Sequence, residues 1–397
     1  MIKAPVTDPE VRGAVRDGEP SGERERGAPA RTVEDLRSRA VTIPTDGPEA
    51  DGTLEWDQTT IVICEARCAG HTGLGYSYTP AAAAALIDEL LAGCVTGVDA
   101  LSPPAAWQRM RRAVRNAGFP GVAACAIAAV DIALWDLKAR LLGLSLVDLL
   151  GRVRERVPIY GSGGFTSYDD ERLERQLSGW ANAGIPRVKM KVGTDPSRDP
   201  ERVRRAREAI GADCELFVDA NGAYSRKQAL NLAERFTAEA AITWFEEPVS
   251  SDDLEGLRLL RDRAPGAVRI AAGEYGYDLP YFRRMLDAGA VDVLQADVTR
   301  CGGITPLLAV GALCEAAGVP LSAHTSPAIH AHVGCALAPL VHAEYFHDHV
   351  RIEERLFTGT LTPLDGALQP DPSVAGHGLA LREDTQATCL RARSSAS

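Results

Sequence analysis

Hydrophobic and polar positions along this chain follow two rhythms. From residue 157 onward, short apolar runs of strand length (157–160, 188–192, 216–219, 242–246, 269–271, 293–296, 320–323 and 343–345) alternate with stretches whose apolar residues recur at helical spacing. Strands separated by helices pair in parallel through right-handed crossovers. Eight such units predict an α/β fold closed into a (β/α)8 TIM-type barrel, in preference to an open doubly wound sheet. No G-x-G-x-x-G follows a strand and no Walker A sequence occurs, so nucleotide-binding folds lack their fingerprints.

Before residue 150 the rhythm is mixed. An apolar run at 59–66 leads through Gly70 into the glycine-rich stretch 71–80, which predicts a hairpin with a mobile tip. Pro80 opens an alanine- and leucine-rich helix to about residue 92, and a second helix covers 122–142 and closes at Gly143. The expected organisation is a flexible tail over 1–30, an N-terminal α+β capping (lid) domain over 31–150, and the barrel over 151–372. A C-terminal segment over 373–397 is expected to return to the capping domain before fraying.

Composition narrows the function classes. Hydrophobic residues at 45% and charged residues at 24% suit a globular enzyme, and a net charge of -11 argues against a nucleic-acid or anionic-membrane surface as partner. Nine cysteines, an odd number without a C-x-x-C pair, read as reduced buried thiols. The N-terminus has no apolar leader core and no apolar stretch is long enough to span a bilayer, so the expected location is the cytosol.

Polar residues at the C-terminal ends of the barrel strands carry the chemistry, because that face holds the active sites of such folds. The second run ends in Lys189-Met190-Lys191, and the strand period of two turns both lysines inward. The next three end in Asp219-Ala220-Asn221, Glu246-Glu247 and Gly273-Glu274, so Asp219, Glu246 and Glu274 come from three adjacent strands. Three buried carboxylates repel one another unless a hard, oxygen-loving cation such as Mg²⁺ joins them. Separate helix caps or arginine pairs are the plainer alternative. Asp297 and His324 end the sixth and seventh strands, where the carboxylate can orient the imidazole for proton transfer and leave its other nitrogen facing the cavity. Glu344, on the eighth, either ties a structural network or meets a substrate oxygen. A histidine-rich stretch also raises a zinc hydrolase, but H-E-x-x-H is absent. His330, His332 and His342 are expected to pack around the last two strands, and the 347–349 stretch to face solvent.

With these motifs the chain resembles the mandelate racemase subgroup of the enolase superfamily over residues 33–382. The resemblance implies Mg²⁺ held by Asp219, Glu246 and Glu274, Lys191 as the base on one face of the substrate, and His324 with Asp297 as the acid/base on the other. It also implies that Lys189 and Glu344 steady the substrate carboxylate, that Asn221 lies near the substrate oxygens, and that the enzyme forms homo-oligomers. The reaction is then removal of the proton α to a carboxylate through an enediolate. Dehydration of a sugar acid to a 2-keto-3-deoxy acid and racemisation or epimerisation of a 2-hydroxy acid share this step. Tyr76, Ser77, Tyr78 and Thr79 at the expected lid tip favour a hydroxyl-rich substrate and hence dehydration. A non-catalytic barrel scaffold is the distant alternative, and it would have lost part of this set.

Overall fold

The structure, a computed structural model, describes residues 31–383; the tail expected over 1–30 and the final residues 384–397 lie outside the described residues. Eight strands form the barrel: β4 (Val157–Gly163), β5 (Arg187–Lys191), β6 (Glu215–Asp219), β7 (Ile242–Glu246), β8 (Arg269–Ala272), β9 (Val293–Ala296), β10 (Leu321–Ala323) and β11 (Leu340–Phe346). They pair in parallel in chain order, and β11 returns to β4 in the register Ala343↔Ile159 to Phe346↔Ser162, which closes the cylinder. Inward positions alternate with outward ones. The interior is filled by Tyr160, Phe217 and Trp244 with Ala271 and Val293, so the barrel is a packed core and not a pore. No helix among the described residues is long and apolar enough to cross a membrane, and every described cysteine is free.

The N-terminal part is an antiparallel meander, β1 (Asp35–Ala50), β2 (Glu55–Cys68) and β3 (His71–Tyr78), packed on helix α1 (Val122–Leu142). The glycine-rich stretch is therefore strand β3 and not a mobile tip; the turn lies at Ala69 and Gly70, both with positive φ. Its glycines allow close approach to α1. A Cβ on Gly73 would stand 2.2 Å from the Ala133 carbonyl oxygen, and one on Gly75 would stand 2.2 Å from that of Ala129. Strand β1 escapes the hydrophobic pattern, because its exposed and buried positions alternate imperfectly and Arg37 and Arg39 interrupt it.

Helix α1 is buried around nearly its whole circumference and ends at Gly143 in the left-handed region, φ 65°. Two aspartates in this apolar helix act as ties. Asp131 accepts hydrogen bonds from Thr305 N (2.8 Å) and Oγ1 (2.7 Å) at the start of helix α2 (Ile304–Ala317). Asp136 accepts from Leu74 N (2.8 Å), His377 N (2.9 Å) and Arg140 Nε (2.7 Å), joining β3, α1 and the C-terminal segment. Asp136→Ala leaves buried donors unpaired, each worth ~1–3 kcal/mol, so a loss of roughly 3 kcal/mol of stability is expected in denaturant unfolding, while Asp136→Asn should cost less.

Candidate active site

Register places the chemistry. β5 and β6 pair Lys191 with Asp219, and β6 and β7 pair Asp219 with Glu246, so these three side chains stand abreast at the C-terminal mouth. Glu274 follows β8 after Gly273. A Cβ on Gly273, whose φ is +134°, would meet the Gln295 carbonyl oxygen at 2.2 Å, so only glycine lets the chain turn there.

Asp219, Glu246 and Glu274 are all buried, and each brings one ligating oxygen within 4.8 Å of the others. Burial, then repulsion from Asp219, pushes the Glu246 carboxyl up to about 8, against the opposing pull of Lys189. Burial would raise Glu274 as well, but His324 and Arg300 hold it well below the usual carboxylate range. Glu274 Oε2 lies 3.2 Å from His324 Nε2 yet has no hydrogen-bond partner. A buried trio of oxygen donors, one orphaned and one pushed toward neutrality by burial and by its neighbour, fits a hard divalent cation.

Two lysines flank the trio. Lys189 Nζ lies 2.5 Å from Glu246 Oε1, 2.8 Å from Glu344 Oε1 and 3.4 Å from Asp219 Oδ2. Lys191 Nζ lies 2.5 Å from Asp219 Oδ2 and 3.1 Å from Asn221 Oδ1. Burial would depress the Lys191 ammonium, but Asp219 beside it overcompensates and holds it above the ordinary lysine value. Glu344 is enclosed by Lys189, Ser162 Oγ (2.6 Å) and Thr325 N (3.0 Å).

Across the mouth, His324 Nδ1 lies 2.9 Å from Asp297 Oδ2. Its Nε2 faces Glu274 Oε2 and, at 3.6 Å, Glu344 Oε2. The expected open nitrogen therefore points at carboxylates, whose charges, Glu274 first, raise the imidazole to about 10 against the opposing effect of burial. Asn221, Glu247, Thr325 and Ser326 all adopt positive φ without being glycine. Such strain persists only where surroundings over-determine it, and here it gathers just beyond the ends of β6, β7 and β10.

Tyr76 is a correction. It is fully buried, its ring stacks on Phe357, and its hydroxyl donates to Glu353 Oε1 at 2.5 Å, so it faces the core and not a substrate. Ser77 donates to the Thr299 carbonyl and Tyr78 stacks on His349, which removes the structural basis for a hydroxyl-rich lid tip. Asp348 and His349 are likewise buried, contrary to the solvent-facing expectation, because helix α3 (His347–Leu356) tucks its first turn under the capping sheet, where Thr59 Oγ1 donates to Asp348. Burial pushes the Glu353 carboxyl up to about 8, opposed by the Tyr76 bond. Folding then favours its protonated form, so its contribution is complete below the ordinary glutamate value and is lost as pH rises through about 8. Glu353→Gln is expected to flatten the decline of Tm between pH 5 and 8; an unchanged slope would contradict this.

The segment that covers the mouth is the β1–β2 connection, which the sequence pattern did not reveal. The Asp51 carbonyl accepts from Thr166 and Thr194 Oγ1, both at 2.8 Å, beyond the ends of β4 and β5. A Cβ on Gly52 would stand 2.4 Å from the Ala220 carbonyl oxygen. Two further residues, absent from the sequence expectations, join the site. Trp244 Nε1 donates to Glu246 Oε2 at 2.9 Å, and Arg300 reaches Glu274 Oε1 at 3.3 Å. Trp244 sits two residues before Glu246 on the same inward face, a signal the period of two does contain.

Fold and site together define an enolase-type barrel with a capping domain, and comparison with known proteins gives the family. Residues 39–151 match the model of the mandelate racemase / muconate lactonizing enzyme N-terminal domain, and residues 172–385 match that of the enolase C-terminal domain-like family; the chain belongs to this family. It is 33% identical over 359 residues to the 3,6-anhydro-alpha-L-galactonate cycloisomerase of Streptomyces coelicolor, covering 88% of this chain and 97% of that protein. A mandelate racemase/muconate lactonizing enzyme-like protein from Rubrobacter xylanophilus superposes with a TM-score of 0.88 at 59% identity, covering 90% of this chain and 99% of that one. The L-talarate dehydratase of Polaromonas sp. JS666, solved with Mg and L-glucarate, superposes with a TM-score of 0.81 at 31% identity, covering 90% and 96% of the two chains.

Proposed function

We propose that this chain is a magnesium-dependent enzyme that removes the proton α to the carboxylate of a sugar acid and then expels the β-oxygen, most simply as a dehydratase yielding a 2-keto-3-deoxy acid. The observation that carries this reading is the buried Asp219–Glu246–Glu274 trio flanked by Lys191 on one side and the Asp297–His324 pair on the other. Asp219, Glu246 and Glu274 would hold Mg²⁺, which would supply positive charge to offset the negative charge that develops on the substrate carboxylate. Once Asp219 and Glu274 serve as metal ligands, their charges no longer hold Lys191 and His324 protonated; Lys191 Nζ or His324 Nε2 then takes the α-proton, and the electron pair moves into the carboxylate to give an enediolate. The other residue protonates the β-hydroxyl, which leaves as water, because hydroxide is too poor a leaving group to depart alone. Tautomerisation of the resulting enol completes the 2-keto-3-deoxy product. Lys189, with Glu344, and Asn221 steady the substrate oxygens. Tyr76 has no part in this scheme.

Relatives named as dehydratases and cycloisomerases support elimination over racemisation. A ring oxygen as leaving group would make this chain a cycloisomerase, the second reading, favoured by the extent of its match to the Streptomyces coelicolor protein. The test incubates enzyme and Mg²⁺ in D₂O with a panel of mono- and diacid sugars and their anhydro or lactone forms. Water loss with a 2-keto-3-deoxy product is expected. Inversion at the α-carbon without any keto acid would decide for racemisation, and product isomeric with an anhydro substrate would decide for cycloisomerisation.

A further inference from the structure

The barrel has a second opening, at the N-terminal ends of its strands, and it holds a cavity of about 370 Å³. Arg187, Glu215 and Arg269 are the first residues of β5, β6 and β8, and they form its rim. Arg187 and Lys191 are four positions apart along β5, a rise of roughly 13 Å at ~3.3 Å per residue, so this cavity and the candidate active site occupy opposite ends of one cylinder. Between them lies an aromatic layer. Phe217 and Trp244 stack at 5.1 Å with planes 17° apart, and His342 lies 5.2 Å from Trp244. Tyr160 packs beneath them with Lys189 5.3 Å from its ring centre on the active-site side.

The charges on the rim do not cancel. Glu215 is taken by Arg187, whose Nε donates to it at 2.7 Å. Arg269 is exposed and its side chain has no hydrogen-bond or ion-pair partner among the described residues. Burial first, then the fields of Arg187 and Arg269, hold the His342 imidazole at about 3, so the floor is neutral and accepts an apolar surface. A concave site of a few hundred Å³ with an aromatic floor and an unpaired guanidinium at its edge has the composition of a small-ligand site.

We propose that this cavity binds a small organic carboxylate with a flat apolar body, its carboxylate on Arg269 beside Arg187 and its body on the Trp244–His342 floor. Trp244 is shared between the two ends, since its ring lines the cavity and its Nε1 donates to Glu246. An occupant therefore touches a residue that orients one of the carboxylates at the other mouth.

The test is calorimetric titration of the full-length, Mg²⁺-loaded enzyme with benzoate. A saturable site is expected whose affinity falls at least tenfold in Arg269→Glu and is retained in Arg269→Lys, which keeps the charge. Benzoate binding should also survive Glu246→Gln, which disables the opposite mouth. Superimposable isotherms for the wild type and Arg269→Glu would overturn the site, as would loss of all benzoate binding in Glu246→Gln, which would assign the heat to the active site. The absence of any saturable heat in the wild type would overturn it equally.

Discussion

Glu246→Gln is expected to weaken Mg²⁺ binding by more than 100-fold and to abolish turnover while the barrel stays folded. Glu246 makes two bonds: Oε1 accepts from Lys189 Nζ at 2.5 Å, and Oε2 accepts from Trp244 Nε1 at 2.9 Å. Glutamine is nearly isosteric, so packing around Phe217 and Trp244 is conserved. It can offer its carbonyl oxygen to only one of those donors, and it brings no charge to the cation. Loss of a carboxylate ligand costs more than the roughly 10- to 100-fold typical of disturbing an outer partner. The fold should persist, since neutralising a buried carboxylate already held at about 8 removes repulsion with Asp219. Calorimetry with Mg²⁺ reads the first claim, and circular dichroism the second. An unchanged Mg²⁺ affinity would remove Glu246 from the ligand set and with it the basis of the proposed chemistry.

Those features of the site that depend on strand register were legible before any coordinates. Period two along a strand puts Lys189 and Lys191 on one face, and one βα unit separates each of Asp219, Glu246 and Glu274 from the next, so neighbouring strands deliver them to one level. What could not be read was the direction in which connections fold over that level. The stretch 71–80 carries the glycines of a loop, yet it is a strand because α1 lies within touching distance of Gly73 and Gly75, a tertiary fact with no local signature. Consequently the pattern predicts a tip for Tyr76 and Ser77, which lie instead in the interface between sheet, barrel and helix. The true cover, the β1–β2 connection, has its position set by carbonyls of Asp51 and Ala50 that bind beyond the ends of β4 and β5, and backbone acceptors leave no mark on side-chain patterns. The histidines show the same division. His330 packs as expected around the last strands, its Nδ1 on the Thr325 carbonyl at 2.7 Å and its Nε2 accepting from Val298 N at 3.1 Å, whereas the burial of Asp348 and His349 follows from long-range docking of α3.

Asp297→Asn is expected to lower the rate of product formation by about 10²-fold or more, the range usual for a misplaced general acid or base. The hydrogen bonds around Asp297 say why an amide cannot substitute. Oδ1 accepts from Thr299 N at 2.7 Å and Oγ1 at 2.8 Å, while Oδ2 accepts from His324 Nδ1 at 2.9 Å and Thr325 Oγ1 at 3.1 Å. One side of the asparagine must present its NH₂ group. The backbone N–H of Thr299 cannot change its role, so the amide nitrogen turns toward His324, whose Nδ1 must then become the acceptor. The imidazole proton moves to Nε2, and the nitrogen that faces the cavity can no longer take a proton from the substrate. Measurement of α-deuterium exchange beside product formation separates the two tasks. If Lys191 removes the α-proton and His324 serves the leaving oxygen, exchange persists in Asp297→Asn while elimination falls. If His324 is the base, both fall together. Activity within a few-fold of the wild type would show that the pair only braces the ends of β9 and β10.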